Sequence, residues 1–386
     1  MSSDRPDPSR QAAPLTAAAL RAAFDAREPL TLGLEEELML LDPETLELAP
    51  VGPAVLAQLD GDARFKLELP ASQLEIITSP ARDVPEAALQ LAHGRRALLR
   101  RAGALARPAA AGAHPFSPAE GELNDDPRYR FTVEWFGSIA HRQLVCALQV
   151  HVTVGGAERT LAVYNALRSY LPELAALAAA APFHEGRDSG LASVRPKIAD
   201  QLTRQGVPPE IDSWESFADA LSWGVSSGVM PEYAGWWWEL RPHPTWGTLE
   251  LRVPDAQATV GDAAGVAALA HALIASLADR HERGEPLARH PGWRIEENRW
   301  SACRDGVEGT LADLDTGEQR PTRRRLNELM DELGPQAAKL GCAAELEHAR
   351  ELAERNGAMR QREVAAERGV DGVAAWLAER FADGLE

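Results

Sequence analysis

The chain contains little cysteine, with three residues of this type among 386. Cys146, Cys303 and Cys342 are far apart in the sequence and form no C-x-x-C pair. This spacing argues against a disulfide framework and against a thiolate zinc site, and it fits a reducing compartment. The thiols do not have the pattern of catalytic groups, because Arg304, beside Cys303, is their one cationic sequence neighbour.

The sequence also lacks the signals that direct a protein into or across a membrane. Its first residues, MSSDRPDPSRQAAP, have neither the basic nor the apolar region of a signal peptide. No uninterrupted run of about 18 apolar residues occurs, so we expect no membrane span. We therefore predict a soluble, cytoplasmic protein.

Basic side chains are in deficit. The formal net charge is −18, with 40 Lys and Arg against 58 Asp and Glu. Proteins that bind nucleic acids need a basic face for the phosphate backbone, so this class is excluded. Binding of a nucleotide such as ATP is not excluded, because Mg²⁺ can mediate between acidic side chains and phosphate.

The apolar content of 45% is that of a globular protein with a substantial core. Residues 1–14 are rich in Pro, Ser and charge, and we predict a disordered tail there. Residues 15–386 are predicted to form a single domain, strand-rich to about residue 260 and helical afterwards, which is an α+β pattern. Thr16 is expected to cap the first helix, and Asp262 is expected to cap a long apolar helix.

The stretch TLGLEEELML, residues 31–40, is predicted to be a β-strand with three consecutive glutamates at its centre. Because successive side chains of a strand point to opposite faces, Glu35 and Glu37 share a face with Gly33. Their carboxylates are ~7 Å apart and repel each other. Glu36 falls on the opposite, apolar face, and we expect it to lie at a sheet edge or to reach an arginine.

Three further predicted strands have a similar polar face. In ARFKLELPASQLEIITSP the polar positions are Gln73 and Glu75, with Glu68 upstream. In RQLVCALQVHVTVGG they are Gln149, His151 and Thr153. In GTLELRVPD they are Thr248, Glu250 and Arg252. None of these positions is a lysine. A solvated face of an antiparallel sheet also alternates, but it should mix Lys, Ser and Thr freely. A face of glutamates with one histidine is unfavourable unless cations occupy it. Such donors suit Mg²⁺ or Mn²⁺ better than zinc.

These strand motifs resemble those of the carboxylate–amine ligase family of bacterial glutamate–cysteine ligases, type 2. The resemblance covers nearly the whole chain after the tail and is carried, in order, by GLEEEL, QLEIIT, AHPF, DDPRYRFTVEWFG, QVHVTVG, GRDSGLASVRPKI, WELRPHPTWGTLELRVPD and NRWSACRDGVEG. It implies a glutamine-synthetase-like catalytic fold, in which a curved antiparallel sheet forms a funnel and helices pack behind it. The chain departs from the family at Ala71, where a polar group is expected, and at Glu36, where an apolar residue is expected.

The resemblance also implies roles for individual residues. The metal-binding places are matched by Glu35, Glu37, Glu68, Glu75, His151 and Glu250. Catalytic roles near the nucleotide phosphates are implied for Arg252 and Arg195. Substrate or nucleotide contacts are implied for Arg128, Ser193, Gln149, His114 and Trp246. The nucleotide is expected on the sheet itself, since neither G-x-x-x-x-G-K-[ST] nor a strand-linked G-x-G-x-x-G occurs.

Two of these motifs have a structural and a functional interpretation. In GWWWELRPHPTWG, Trp236 and Trp238 share a face and are assigned to the core, since large aromatic side chains mainly bury area. Trp246, in the turn PTWG, is kept as a residue that stacks on adenine or walls the amine pocket. The segment GRDSGLASVRP is either an ordinary turn-rich connection or a loop that clamps a carboxylate or phosphate, and we favour the clamp.

The activity that the resemblance implies is ATP-dependent amide formation between glutamate and cysteine, through a γ-glutamyl phosphate and with release of ADP and phosphate. ATP is then a co-substrate, and Mg²⁺ or Mn²⁺ is the metal. Glutathione-type biosynthesis is the process considered, with a specialised pathway left open. The partners are small molecules rather than nucleic acid or membrane, and a homo-oligomer is left open. Three alternatives also stay open: the same chemistry with a different amine acceptor, a non-catalytic regulatory member that binds nucleotide or metal, and a metal-dependent hydrolase that acts without ATP.

Overall fold

The computed structural model describes residues 15–385. The tail predicted for residues 1–14 lies outside the described residues. The helices are α1 (Ala17–Asp25), α2 (Gly52–Gln58), α3 (Val84–Ala102), α4 (Pro127–Phe136), α5 (Ala157–Leu167), α6 (Leu171–Ala178), α7 (Arg195–Ala199), α8 (Trp214–Ser226), α9 (Val260–Glu282), α10 (Gly292–Asp305), α11 (Thr322–Lys339), α12 (Ala343–Glu354) and α13 (Gly357–Phe381).

The strands are β1 (Leu32–Leu41), β2 (Phe65–Leu67), β3 (Gln73–Ile77), β4 (Arg107–Ala109), β5 (Leu148–Val152), β6 (Phe183–His184), β7 (Arg187–Asp188), β8 (Leu240–His243), β9 (Thr248–Leu251), β10 (Thr310–Ala312) and β11 (Gln319–Pro321). The main sheet has seven strands, in the order β2-β3-β1-β5-β9-β8, with β4 also paired to β1. All of its pairs are antiparallel. Its strands all precede residue 260, and the hairpin of β10 and β11 follows later, so the predicted α+β class is confirmed.

One face of the main sheet is apolar and forms the floor of the hydrophobic core. Leu34, Leu38 and Val150 on this face have no exposed surface. Helix α3 packs on β1 and β3, and helix α9 packs on β5. Gly94 lets α3 lie close to the sheet, because a Cβ atom at this position would lie 2.6 Å from Cγ2 of Ile76. The opposite face is left for the polar side chains.

Helix α9 is the centre of the helical layer. It packs against α3, α5, α11 and α12. By length and composition it could cross a membrane, since an 18-residue window has a mean hydropathy of 1.6, but 83% of that window is buried inside the structure. Its apolar composition is that of a buried core helix, since other helices surround it. The sequence predicted this long apolar helix, but it did not predict that the helix is apolar enough to pass as a membrane span.

The N-terminus of α9 differs from the prediction by three positions. Thr259 is the capping residue, and its hydroxyl accepts a hydrogen bond from the backbone N–H of Asp262 at 3.0 Å. Asp262 lies in the first turn, where a negative charge still complements the helix dipole. At α1 the prediction is confirmed, because Thr16 accepts a hydrogen bond from the N–H of Ala19.

The aromatic run before β8 is irregular rather than part of the strand. Strand β8 begins at Leu240. Trp236 packs against the hydrophobic core, as predicted. Trp238 is half-buried and lines a shallow cavity of about 350 Å³ at the surface.

Candidate active site

The polar face of the main sheet brings together the acidic side chains that the alternation predicted. The register that does so pairs Glu37 with Glu75, Glu35 with Gln149, Gly33 with His151, and His151 with Glu250. Because directly paired residues point to the same side, these side chains share one face. Strands that are distant in sequence thus contribute to a single site.

Glu36, on the other face, reaches an arginine, which was one of the two predicted explanations. Its carboxylate accepts hydrogen bonds from Nε and Nη2 of Arg95, on α3, at 2.8 and 2.5 Å. Both side chains are fully buried. The three glutamates therefore alternate as the strand requires, with the middle one neutralised from behind.

The carboxylates of Glu37, Glu68 and Glu75 crowd one part of the polar face. Burial raises the pKa of Glu75 well above its usual range, and the charge of Glu68 raises it further. Burial and the charge of Glu37 raise the pKa of Glu68 to about 8. Burial also raises the pKa of Glu37, although the N–H of Ala147 and the amide of Gln149 donate to it. The cluster therefore favours a bound proton or another cation.

Glu35 behaves differently because it faces His151. Burial raises the pKa of Glu35, but the contact with His151 outweighs burial and brings this pKa down to about 2. Nε2 of His151 lies 3.6 Å from Glu35 Oε1 and 3.9 Å from Glu250 Oε2. Nδ1 of His151 lies 3.0 Å from the hydroxyl of Thr248. Nε2 is buried, and among the described residues its contacts with these two carboxylates are longer than a hydrogen bond, so it is available to coordinate a cation.

Both carboxylate oxygens of Glu250 are bound by arginines. Oε2 accepts from Nε of Arg241, and Oε1 accepts from Nη1 of Arg252, each at 2.6 Å. Nη1 of Arg252 also donates to the amide oxygen of Gln149 at 2.8 Å. In this arrangement Glu250 orients Arg252, and its role as a metal ligand stays a prediction.

The polar face fits a hard cation by the chemistry of its donors. Its candidate ligands are four carboxylates, those of Glu35, Glu37, Glu68 and Glu75, and the imidazole nitrogen Nε2 of His151. Mg²⁺ and Mn²⁺ prefer such oxygen-rich sets of ligands. Between residues 15 and 385, however, no three acidic, histidine or cysteine side chains are already grouped closely enough to hold a metal ion. The predicted metal-binding places therefore stay predictions.

Arg195 and Ser193 are both held by the carboxylate of Asp255. Oδ1 of Asp255 accepts hydrogen bonds from Nε of Arg195 at 2.7 Å and from the hydroxyl of Ser193 at 3.0 Å. Arg195 also donates to the carbonyl of Val253. Arg195 lines the cavity described next, whereas Ser193 is turned towards Asp255 and buried. The segment is thus ordered by an internal ion pair, and its contact with substrate stays a prediction.

A cavity of about 570 Å³ lies between the polar face and α4. Among the predicted site residues, its lining includes Glu37, Glu68, Arg128, Arg195 and Arg252, whereas Glu35, Glu75 and His151 do not line it. Nε of Arg128 lies 3.2 Å from Asp126, and half of its side chain is exposed at the rim. A cavity of this size accommodates small-molecule substrates.

His114 and Trp246 lie outside the lining of that cavity. Nε2 of His114 lies 2.8 Å from the carbonyl of Leu46, and Nδ1 accepts from the N–H of Ser117. Burial lowers the pKa of His114 to about 4, so the ring is neutral at pH 7. Trp246 is 53% exposed, and its ring centroid lies 6.0 Å from that of His243. Their roles in binding stay predictions.

Sequence reasoning missed two cations of the polar face. Lys66, on β2, pairs with Glu75, so the statement that the face has no lysine is wrong. The signal was in FKLEL, where Lys66 precedes Glu68 by two residues. Arg241 was missed because WELRPHP was interpreted through its tryptophans, although alternation from Leu240 places Arg241 on the polar face. Asp255 was missed because it follows the strand rather than lying on it.

The sequence of the chain matches the family described as glutamate–cysteine ligase family 2 over residues 31–374. A protein of Rubrobacter xylanophilus, provisionally named glutamate–cysteine ligase 2-3, is 42% identical over 372 residues, which cover 94% of this chain and 100% of that protein. A protein of Gloeobacter violaceus, provisionally named glutamate–cysteine ligase 2, is 34% identical over 351 residues, which cover 88% of this chain and 94% of that protein.

Two solved structures have a similar fold. Glutamate–cysteine ligase from Francisella tularensis, in complex with AMP, superposes with a TM-score of 0.67 at 12% identity, covering 94% of this chain and 91% of that chain. A bifunctional glutathione synthetase from Pasteurella multocida gives a TM-score of 0.64 at 16% identity, covering 95% of this chain and 54% of that chain. At these identities the likeness concerns the fold, and it confirms the predicted fold class.

Proposed function

The chain belongs to the glutamate–cysteine ligase family 2, a family of ligase enzymes, and from that premise we propose that it joins glutamate to cysteine using ATP. The product is γ-glutamylcysteine, formed through γ-glutamyl phosphate with release of ADP and phosphate. The substrates are small molecules of the cytoplasm, and the reaction serves glutathione-type biosynthesis.

The observation that carries this proposal is that one cavity joins crowded carboxylates to two fixed arginines. Glu37 and Glu68 line it together with Arg195 and Arg252. Transfer of a phosphoryl group to a carboxylate brings two anions together, so it requires neutralisation of charge and accurate positioning more than covalent help. A cavity with both cation-binding acids and anion-binding guanidiniums meets that requirement.

The residues that would hold Mg²⁺ or Mn²⁺ are Glu35, Glu37, Glu68, Glu75 and His151. When bound, such an ion neutralises phosphate charge and acts as a Lewis acid on phosphoryl oxygens. The crowding of these carboxylates, with burial and mutual repulsion raising the pKa of Glu68 and Glu75, is the property of this chain that supports the assignment.

The arginines act on the charge that develops during the two steps. First, an oxygen of the substrate γ-carboxylate attacks the γ-phosphorus of ATP, and the bond from that phosphorus to the β-phosphate bridging oxygen breaks. Arg252, oriented by Glu250 and Gln149, donates to the transferred phosphoryl group. Burial opposes ionisation, but the charge of Glu250 keeps the pKa of Arg252 above its usual range, so it remains a cation.

In the second step, the neutral amine of cysteine attacks the acyl carbon, the carbon–oxygen bond to phosphate breaks, and the amine loses a proton to the departing phosphate or to solvent. Arg195, which Asp255 holds in the lining of the cavity, stabilises the leaving phosphate in this proposal. Arg128 is half-exposed at the rim, and it is the candidate for a first contact with a substrate carboxylate. The α4 side of the cavity also contributes Tyr129 and Phe131, which help to exclude water from the acyl phosphate.

ADP release by the purified protein tests the proposal, with Mg²⁺–ATP and glutamate present and with cysteine or other amines as acceptor. We expect ADP and γ-glutamylcysteine, identified by mass, and at least ~100-fold less of both with Arg252→Gln. Arg142→Gln is the matched control, because Arg142 is half-exposed and does not line the cavity. Another amide product would preserve the chemistry and change the acceptor, and absence of ADP with every pair would refute the ligase assignment.

A further inference from the structure

The ion pair between Glu36 and Arg95 lies directly behind the polar face. Neither side chain has any exposed surface. Nε and Nη2 of Arg95 donate to the two carboxylate oxygens of Glu36, and this parallel pair of hydrogen bonds fixes both direction and distance. On β1, Glu36 stands between Glu35 and Glu37, so the backbone that it holds is also the backbone of two candidate metal ligands.

The same guanidinium binds a second part of the chain. Nη1 of Arg95 donates to the carbonyl of Ala258 at 2.9 Å, and Nη2 donates to the carbonyl of Gln257 at 2.7 Å. The side chain of Gln257 in turn donates to the backbone carbonyl of Asp255 at 2.8 Å. These residues belong to the connection between β9 and α9, residues 252–259, whose first residue is Arg252.

Arg95 therefore joins the two halves of the site from the apolar side. One half is β1, with Glu35 and Glu37, and the other is the β9–α9 connection, with Asp255 holding Arg195. A contact that only added stability would not need this chemistry, because a buried ion pair can often be replaced by apolar side chains without loss of stability. What apolar side chains cannot reproduce is the fixed geometry of four directed hydrogen bonds.

We propose that Arg95, through Glu36, is a positioning residue that sets the carboxylates of β1 against the arginines of the opposite half of the site. Its catalytic consequence rests on the function proposed above, whereas its consequence for metal binding does not. A small displacement of reacting groups is enough to slow an enzyme, since a shift of about 1 Å costs up to ~100-fold in rate.

The test replaces the pair by apolar side chains of similar size, as Glu36→Leu/Arg95→Met. We expect a folded protein with the far-UV circular dichroism of the wild type, in which calorimetric Mn²⁺ affinity and the kcat of ADP release each fall by ~10-fold or more. The matched control is Glu173→Leu/Arg325→Met, another ion pair of low exposure, which lines a separate cavity of about 130 Å³. The control should retain both values.

Wild-type Mn²⁺ affinity and kcat in a folded Glu36→Leu/Arg95→Met protein would overturn the proposal. If that variant does not fold, Arg95→Lys decides, because lysine keeps the charge but cannot form the parallel pair of hydrogen bonds. Reduced Mn²⁺ affinity and kcat in folded Arg95→Lys would support the proposal, whereas wild-type values in folded Arg95→Lys would refute it. Should the wild type release no ADP, the proposed function fails, and the Mn²⁺ comparison still decides the positioning role.

Discussion

Ionisation of the Glu75 carboxyl group is disfavoured in the folded chain when no cation is bound. The side chain is buried, and burial together with the charge of Glu68 raises its pKa. A carboxyl group whose pKa is higher in the folded than in the unfolded state destabilises the fold above the unfolded pKa of about 4.5. At the scale of single residues, the folded site thus disfavours ionisation of Glu75, and a bound cation would favour it.

Glu75→Gln should therefore have opposite effects on activity and on stability. We expect Mg²⁺-dependent ADP release to fall by ~100-fold or more, because a candidate ligand is lost. We expect the melting temperature in metal-free buffer at pH 7 to rise, because glutamine does not titrate and the cost of burying the Glu75 carboxyl group at this pH is removed. Glu47→Gln, which replaces an exposed glutamate rather than a buried one, is the control and should change neither measurement. Retained activity in Glu75→Gln would show that this carboxylate only decorates the face.

His114 predicts a pH dependence of stability. Burial lowers its pKa to about 4, below the unfolded value of about 6.5. The neutral ring therefore contributes stability at pH 7, which is lost as the pH falls from about 6.5 towards 4, amounting to roughly 2 kcal/mol at pH 5. His114→Asn keeps an acceptor for the N–H of Ser117 and cannot titrate in this range, so urea unfolding should show a weaker fall in stability between pH 7 and 5. The same fall in both proteins would contradict the assignment.

At the scale of elements, the alternation of residues on strands predicted most of the candidate site. Glu35, Glu37, Glu75 and His151 were placed on one face because a strand has a period of two. An arginine partner for Glu36 was one of two predicted explanations, but this partner could not be identified as Arg95, because Arg95 lies on a helix that packs onto the sheet from a distant part of the sequence. The capping residue of α9 was placed three positions late, since Thr259 and Asp262 are both good N-cap residues and the sequence alone does not rank them.

Helix α9 gives a test at this scale. Thr259→Ala removes the hydrogen bond to the N–H of Asp262 and should lower the free energy of unfolding by about 1 kcal/mol in a urea titration. ADP release per folded molecule should stay unchanged. Thr259→Ser keeps the capping hydroxyl and should restore most of the loss; if Ser and Ala destabilise equally, the cap is not the cause.

At the scale of the whole molecule, a net charge of −18 and a crowded acidic face make the fold sensitive to divalent cations. A ligand that binds the folded state alone stabilises it by RT ln(1 + [L]/Kd), which is about 2.7 kcal/mol at 100 times Kd. We expect Mg²⁺ or Mn²⁺ to raise the melting temperature by several degrees and EDTA to reverse the rise. NaCl at matched ionic strength is the control, since screening alone would act equally with both salts. In Glu75→Gln the specific rise should be smaller.

The burial of α9 also has a consequence for synthesis of the chain. Its 23 residues are apolar enough to span a bilayer, and they are covered partly by α11 and α12, which are made later. Gly265 allows α12 to approach closely, because a Cβ atom there would lie 3.2 Å from the backbone nitrogen of Ala349. Until α12 has left the ribosome, α9 therefore presents an uncovered apolar surface to chaperones and to the membrane-insertion machinery. We expect chains truncated between these two helices to aggregate, to be degraded, or to be directed wrongly to the bilayer.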